Sequence, residues 1–261
     1  MRVSCVQMDM LPEEPGKNFD RAEELIRKAA EGQPDVIVLP ETWNSGFFPR
    51  ELLRDCADRD GNAVKTRIGA LAKELGINII AGSVANLKND KIYNTCYVFD
   101  RSGECIAEYD KTHLFTPMKE DLFFEKGSHL APFELDGLKC GVIICYDIRF
   151  PELTRTYALQ GLDFLFIPAQ WPAVRIPHLL ALSKARAIEN QMFTVTCNSC
   201  GKAGKTVYGG NSVIHDPWGE VLAKAGEGEE IIAADCDPGI LAGIRETINV
   251  FRDRRPELYH V

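Results

Sequence analysis

The chain alternates short apolar runs with amphipathic helical segments, and this alternation restricts its fold more than any other feature. Apolar runs at 35–39, 139–145 and 163–168 have the length and composition of buried strands. A strand at 2–9 precedes a helical segment at 15–32, in which apolar side chains recur every three or four positions. Strands that alternate with helices favour an α/β fold over an all-α or all-β fold.

The same alternation continues to the end of the chain. Helices are predicted at 62–75, 150–160 and 175–190, with Gly76 as the stop of the first. Further strands are predicted at 78–85, 92–99, 104–110, 192–198, 211–215, 220–224 and 230–236. A short helix and a basic tail at 252–255 close the chain. Since no repeat, linker or low-complexity stretch interrupts the pattern, we expect residues 1–261 to form one domain.

Charge and composition exclude several classes of partner. The formal net charge of the 261 residues is −8 and no Lys/Arg block offsets it, which argues against nucleic-acid binding. No apolar run approaches the ~20 residues that a membrane span needs, and the first residues read as a strand instead of a signal peptide. We therefore expect a cytoplasmic protein without a membrane partner.

The nine cysteines are an odd number, and most should be buried thiols.

Reactive side chains follow three of the predicted strands. Glu41 comes directly after the run that ends at Pro40, Lys111 follows the strand at 104–110, and Cys145 ends the run at 139–145. In open α/β architectures, ligands bind beyond the carboxyl ends of the strands. We therefore expect these three side chains to meet in one site.

The three side chains suit acyl transfer. Cys145 is the candidate nucleophile, since a thiolate attacks a carbonyl carbon readily and the resulting thioester can be hydrolysed. Glu41 can take the thiol proton and later protonate the departing amine, and such acid–base help contributes about 100- to 10,000-fold in rate. Lys111 would favour the thiolate and balance the oxyanion, with the backbone N–H of Tyr146 as a second donor.

Three motifs carry a resemblance that covers nearly the whole chain. They are Val-Leu-Pro-Glu-Thr-Trp at 38–43, Glu-Tyr-Asp-Lys-Thr-His-Leu-Phe at 108–115, and Gly-Val-Ile-Ile-Cys-Tyr-Asp-Ile-Arg-Phe-Pro-Glu-Leu at 141–153. In this order and spacing they resemble the nitrilase (carbon–nitrogen hydrolase) superfamily. The resemblance implies a Glu–Lys–Cys triad in an α-β-β-α sandwich, usually paired through its helical layer as a homodimer or larger homo-oligomer. It also implies a second glutamate, for which Glu120 is the best match, to orient Lys111 or position the substrate amide.

Within the superfamily, the chain is most similar to the ω-amidase branch. Segments 92–95, 169–172 and 184–190 carry this likeness. It implies hydrolysis of the terminal amide of a short carboxylate-bearing substrate, such as 2-oxoglutaramate or 2-oxosuccinamate, to acid and ammonia. The substrate carboxylate needs a cation at a fixed distance. The candidate substrate contacts are Arg175, Arg149 as the second choice for the carboxylate, and Trp171, Phe47 and Phe48 as an apolar wall.

Other functions use the same residues differently. The triad can act on another carbon–nitrogen substrate, namely a nitrile, a carbamoyl amide or an amine that accepts the acyl group. A non-catalytic binding protein of the same fold is a further alternative, although all three triad residues are present. Metal-dependent hydrolysis is less favoured because the five histidines lack a metal-binding spacing. We expect neither a metal nor a cofactor.

Several polar residues have a structural interpretation beside the functional one. Cys197 and Cys200 have the spacing of a redox or metal pair, but no second pair or histidine partner follows them. A Cys–His pair of the protease type that uses His113 is an alternative, but we expect this residue to pack or to bind backbone near the site. For Arg149 and Arg186, structural ion pairs and functional contacts both remain open. The tail at 252–255 is either a solvated end or part of a subunit interface.

Overall fold

Fifteen strands and seven helices are present in the computed structural model, which describes residues 1–46 and 51–259. The strands are β1 (Arg2–Gln7), β2 (Val36–Val38), β3 (Asp58–Arg59), β4 (Asn78–Lys88), β5 (Lys91–Phe99), β6 (Cys105–Asp110), β7 (Phe133–Leu135), β8 (Leu138–Val142), β9 (Phe164–Ala169), β10 (Phe193–Asn198), β11 (Cys200–Ala203), β12 (Thr206–Gly209), β13 (Val213–His215), β14 (Val221–Lys224) and β15 (Glu230–Asp235). The helices are α1 (Pro15–Ala30), α2 (Leu53–Cys56), α3 (Asn62–Val64), α4 (Ala70–Leu75), α5 (Pro151–Ala158), α6 (Ile176–Asn190) and α7 (Ile240–Thr247).

Most of the strands form two mixed sheets. The first sheet has the order β15-β1-β2-β4-β5-β6, with β3 paired to β4, and the second has the order β14-β13-β10-β9-β8-β7. In the first sheet β1, β2 and β4 are parallel to one another, and in the second sheet β8, β9 and β10 are parallel. Parallel neighbours place their carboxyl ends at one edge of a sheet, which brings the residues that follow them together.

Alternating side chains of the first sheet belong to two different cores. Val36 and Val38 of β2 lie in the core between the sheets, whereas Ile37 and Leu39 pack in the core beneath α1. This is the period of two that a strand buried on both faces requires. Each of these side chains is fully buried, and burial of an aliphatic side chain stabilises the fold by about 1.5–3 kcal/mol.

Helices cover the outer face of each sheet. Phe19 and Ile26 of α1 pack against the first sheet together with Leu71 of α4. Tyr157 of α5 and Leu179 of α6 join the core of the second sheet. The layers are therefore helix, sheet, sheet and helix, and the predicted α-β-β-α sandwich is confirmed.

The differences from the predicted elements are local. The helix predicted at 62–75 contains a π-helical turn, Lys65–Gly69, between α3 and α4, and Gly76 ends it with a φ of +65°. The strand predicted at 139–145 pairs as far as Val142, so the chain leaves the sheet before the cysteine. β3, β7, α2 and the β11–β12 hairpin were not predicted, because elements of two to four residues are too short to show a hydrophobic period.

The structure also bears on membrane association. Within residues 1–46 and 51–259, every helix is too short or too polar to cross a bilayer.

Candidate active site

The residues after three strands meet at one edge of the sandwich. Glu41 follows β2, Lys111 follows β6 directly, and Cys145 follows β8. The Lys111 ammonium donates to Glu41 Oε1 at 2.7 Å, and both side chains are buried. The Cys145 side chain lines the same pocket as Glu41 and Lys111, close enough for both charges to shift its pKa. The structure thus brings the three predicted residues together.

Glu120 completes this cluster from the loop that follows Lys111. Its carboxylate oxygens lie 3.0 and 2.9 Å from Lys111 Nζ. Oε2 also accepts the backbone N–H of Phe115 at 2.6 Å, which fixes the carboxylate within its own loop. Lys111 is therefore held between two carboxylates, those of Glu41 and Glu120.

Two amide residues that the sequence analysis did not single out hold these carboxylates in place. Asn94 of β5 donates to Glu41 Oε1 at 2.9 Å and to Glu120 Oε1 at 3.4 Å. The backbone N–H of Gln170, directly after β9, donates to Glu41 Oε2 at 2.9 Å. The available signal was an asparagine within the strand predicted at 92–99, because a polar side chain in a buried strand needs a partner.

The backbone at Cys145 has an uncommon conformation. Its φ is +46°, in the left-handed region that residues with a Cβ seldom adopt. A turn of 3-10 helix, Cys145–Arg149, begins there and leads towards α5. This sharp change of direction between strand and helix presents the sulfur beyond the strand end, as a nucleophile elbow does.

Burial and neighbouring charges shift the pKa values in opposite directions. Burial by itself lowers the pKa of Lys111, but the charges of Glu120 and Glu41 outweigh burial and hold this pKa well above its ordinary value. Burial and the Glu41 charge raise the pKa of Cys145 well above that of a free thiol, and Lys111 opposes them only in part. Burial also raises the pKa of Glu120. Burial and the Glu41 charge therefore disfavour the thiolate of Cys145, and the Lys111 ammonium favours it.

A pocket opens above the sulfur. Its walls are Glu41, Lys111, Phe115, Met118, Glu120, Cys145, Tyr146, Arg149, Gln170, Trp171, Pro172 and Arg175. The two arginines predicted for substrate binding therefore reach the same pocket as Cys145. The Arg149 guanidinium lies over the Trp171 ring at 4.8 Å, and that of Arg175 lies over the Phe115 ring at 5.4 Å. Among the described residues neither guanidinium forms a salt bridge, so both positive charges remain available to a substrate.

A family model for carbon–nitrogen hydrolases matches residues 2–246. The chain belongs to the carbon–nitrogen hydrolase family. It is 44% identical over 257 residues to the 2-oxoglutaramate amidase of Bacillus subtilis (strain 168), with 98% of each chain covered. It is also 37% identical over 269 residues to omega-amidase NIT2 of Xenopus tropicalis, with 100% of this chain and 97% of that protein covered. The predicted resemblance to the nitrilase superfamily and its ω-amidase branch is confirmed.

A solved structure agrees in fold. The amidase from Nesterenkonia sp. AN1, seen with acrylamide added to its active-site cysteine, matches with a TM-score of 0.86 and 26% identity over 99% of this chain and 98% of that one. Together with the curated relatives, this match shows that the chain is a carbon–nitrogen hydrolase of the amidase type, acting on amides other than peptides.

Other predicted residues of this carbon–nitrogen hydrolase have mixed outcomes. The Trp171 side chain is buried, and its Nε1 donates to the backbone oxygen of Arg175 at 2.8 Å, so it forms part of the pocket wall. Tyr146 also lines the pocket, and its ring contacts that of Phe115 at 4.9 Å. Phe47 and Phe48 lie outside the described residues.

Three residues with a structural alternative can now be placed. The strand before His113 ends at Asp110. The His113 ring stacks on that of Phe150 with centroids 3.7 Å apart, which is the predicted packing, and His113 Nδ1 lies 2.8 Å from Asp147 Oδ1. Arg186 pairs with Glu189 at 2.7 Å and donates to the oxygen of Ile148, which is a structural role. Arg149 Nη2 lies 3.3 Å from His178 Nδ1, and the guanidinium has no carboxylate partner among the described residues. Its role in substrate binding stays a prediction.

Proposed function

We propose that this protein hydrolyses the terminal amide of a short 2-oxo dicarboxylic acid monoamide, such as 2-oxoglutaramate, through a thioester on Cys145. The observation that carries the proposal is the Lys111 ammonium held between Glu41 and Glu120 beside the Cys145 thiol, in a pocket lined by two arginines that form no salt bridge within the described residues. The likeness to the 2-oxoglutaramate amidase of Bacillus subtilis supports the choice of acid.

Acylation begins with proton transfer from the thiol. Glu41 accepts the Cys145 proton as the sulfur attacks the amide carbon, which avoids a free thiolate in a site where the thiol pKa is raised. The carbonyl electrons move onto the oxygen, which Lys111 and the backbone N–H of Tyr146 stabilise. Glu41 then protonates the nitrogen, the carbon–nitrogen bond breaks, ammonia leaves and the thioester remains.

Deacylation repeats the proton transfers with water. Glu41 removes a proton from a water molecule that attacks the thioester carbonyl, and the same two donors balance the second oxyanion. Collapse of this intermediate breaks the carbon–sulfur bond, and the proton returns to the sulfur. Because the Asn94 amide and the Gln170 N–H both hold the Glu41 carboxylate, it needs no reorientation between the two half-reactions.

Two guanidinium groups at the pocket favour an anionic substrate. Arg175 can bind the substrate carboxylate, with Arg149 beside it on the Trp171 face of the pocket. The same two charges repel a substrate that carries an ammonium group next to the carboxylate. The pocket therefore favours a 2-oxo acid amide over the corresponding 2-amino acid amide, glutamine.

Ammonia release from a panel of compounds tests the proposal. The panel contains 2-oxoglutaramate, 2-oxosuccinamate, glutamine, pentanamide, a carbamoyl amine and a nitrile. We expect kcat/KM to be highest for a 2-oxo acid amide and at least about 100-fold lower for glutamine, which corresponds to ~2.7 kcal/mol. A preference for the nitrile or the carbamoyl amine would reject the proposed substrate while leaving the triad chemistry in place.

The arginine variants test carboxylate recognition directly. We expect Arg175→Gln to raise KM for 2-oxoglutaramate by about 10- to 100-fold, because a charge-assisted hydrogen bond contributes ~1.5–3 kcal/mol. Hydrolysis of pentanamide, which has no carboxylate, provides the matched control and should change less than about threefold. An equal loss on both compounds would contradict a role in carboxylate binding.

A further inference from the structure

A fully buried carboxylate lies two residues after the proposed nucleophile. Asp147 has no exposed surface and accepts hydrogen bonds from two segments of the chain. Its Oδ2 accepts the backbone N–H of Ile144 at 3.0 Å and the Tyr109 hydroxyl at 2.8 Å. Its Oδ1 accepts the backbone N–H of His113 at 2.9 Å and the Thr112 hydroxyl at 3.0 Å, with His113 Nδ1 at 2.8 Å.

The backbone N–H groups that the two oxygens accept come from opposite sides of the site. Ile144 immediately precedes Cys145, so Oδ2 holds the backbone at the entry to the elbow. Thr112 and His113 immediately follow Lys111, so Oδ1 holds the loop that carries the ammonium. The Asp147 carboxylate, which is a rigid group, therefore connects the segment that carries Cys145 to the segment that carries Lys111.

The elbow needs such a restraint. A positive φ at a residue with a Cβ costs about 1–3 kcal/mol of conformational free energy. Such a conformation persists only where surrounding contacts hold the backbone in place. Cys145 has a φ of +46°, and the capping contact from Asp147 to the N–H of Ile144 lies directly before it. Asp147 does not line the pocket, so its effect on the sulfur passes through the backbone.

We infer that Asp147 is a positioning residue that fixes the Cys145 elbow relative to Lys111, and that catalysis depends on its two oxygens acting together. The inference rests on the proposed thioester chemistry. It differs from that proposal in predicting a role for a group that never touches the substrate.

Substitution by asparagine removes this function with little change in volume. Each oxygen of Asp147 accepts one backbone N–H, from Ile144 and from His113. In either orientation, the NH2 group of an asparagine faces one of these N–H groups instead of accepting it. One of the two connections is therefore broken, which leaves a buried donor without a partner.

A matched variant separates this role from ordinary loss of stability. Asp58 is also buried, and its two oxygens accept the backbone N–H groups of Ala63 and Val64 at 2.9 Å each. Asp58→Asn removes the same kind of contact away from the pocket. We expect kcat of Asp147→Asn to fall about 30- to 300-fold with KM within about threefold, whereas kcat of Asp58→Asn per folded molecule changes less than about threefold.

Alkylation of Cys145 by acrylamide gives a second readout that needs no amide substrate. If Asp147 holds the sulfur near Lys111, the pH midpoint for alkylation should move upward in Asp147→Asn and stay in place in Asp58→Asn, since Lys111 lowers the thiol pKa. An unchanged pH midpoint, or a loss of kcat equal in the two asparagine variants, would overturn the inference. Failure of the parent protein to hydrolyse 2-oxoglutaramate would instead reject the proposed function, and the alkylation comparison would still stand.

A milder change covers the case in which Asp147→Asn does not fold. Tyr109→Phe combined with Thr112→Val removes one hydroxyl donor from each oxygen and keeps both backbone contacts. We expect kcat to fall about three- to tenfold at unchanged KM, which is ~0.7–1.4 kcal/mol. A double variant with parental kcat and a parental alkylation profile would count against the inference.

Discussion

Cys145 and Cys197 both lie at or beyond the carboxyl ends of parallel strands in the second sheet, β8 and β10, which are separated by β9, and only Cys145 adjoins the pocket. Both thiols are buried, and burial is the largest cause that raises each pKa well above the ordinary value. Cys145 follows β8, and Cys197 is the fifth residue of β10. Position in the fold, burial and thiol pKa therefore do not distinguish the two.

Their neighbours do distinguish them. The Cys197 sulfur lies 3.3 Å from the backbone oxygen of Val6 and 3.2 Å from that of Val38, inside the core between the sheets. The Cys145 sulfur instead lies beside Glu41 and Lys111 and opens to the pocket. A buried thiol becomes a candidate nucleophile where a proton acceptor, a cation and substrate access coincide.

The largest effect should come from replacing the Cys145 sulfur with oxygen, and the same replacement at Cys197 is the comparison. We expect Cys145→Ser to lower kcat by at least about 1,000-fold, because the higher pKa of serine leaves Glu41 too weak a base to generate an alkoxide. Cys197→Ser should keep kcat within about threefold. Ammonia release by the two variants measures the difference, and near-normal turnover by Cys145→Ser would refute the thioester route.

Removal of the site's cation should have the next largest effect. Lys111→Met leaves Glu41 and Glu120 buried without a counter-charge, so we expect kcat to fall at least about 100-fold and stability to fall by ~3–5 kcal/mol. Lys88→Met is the matched control, since Lys88 also bridges two carboxylates, those of Glu108 and Asp110. Turnover per folded molecule, with denaturant unfolding in parallel, measures both effects. Equal kcat losses in the two variants would contradict a specific role for Lys111.

Glu120 should matter less than the cation that it holds. Glu120→Gln keeps one side-chain oxygen, which can accept from Lys111 or from the N–H of Phe115. The NH2 group that replaces the other oxygen is a donor and cannot accept either bond. We expect kcat to fall about 10- to 100-fold, which is ~1.4–2.7 kcal/mol. Steady-state kinetics checks this expectation. A loss as large as that of Cys145→Ser would show that Glu120 takes part in proton transfer itself.

The smallest effect concerns stability near β10, where the buried His215 lies outside the pocket lining. His215 lies buried beside Ser183 and Thr194, and burial, followed by the Lys184 charge, lowers its pKa to about 4 against the opposing charge of Asp216. Because this pKa is depressed in the fold, the unfolded chain binds the proton first, and stability should fall as the pH drops from about 6.5 towards 4.

Replacement of His215 isolates that contribution. Between pH 7 and pH 4.5, the free energy of unfolding should fall by about 1–2 kcal/mol less in His215→Gln than in the parent protein. The kcat should be unchanged. Urea unfolding at both pH values measures the difference. A parallel pH dependence in the two proteins would show that the buried histidine does not titrate in this range.

Sequence-based prediction succeeded best where periodicity and motif spacing agree. Helix α1 and strands β1 and β2 were predicted within a few residues, because their buried faces repeat with a clear period. The resemblance carried by the motifs named Glu120, and its carboxylate lies beside Lys111 in the structure. The exit of the chain from the sheet before Cys145 was missed, because apolar residues continue through Ile144 although the ladder ends at Val142.

By itself, the sequence determined the α/β class and the three residues that follow the strand ends, and the resemblance carried by its motifs implied the order of the layers. These features depend on local hydrophobic period and on short motifs, which are written along the chain. Only the tertiary structure decided that Asn94 and the Gln170 N–H hold Glu41, that burial and the Glu41 charge raise the pKa of Cys145, and that Asp147 joins two loops. Such contacts connect residues distant in sequence, and their energies depend on burial and on distance, which periodicity and spacing do not encode.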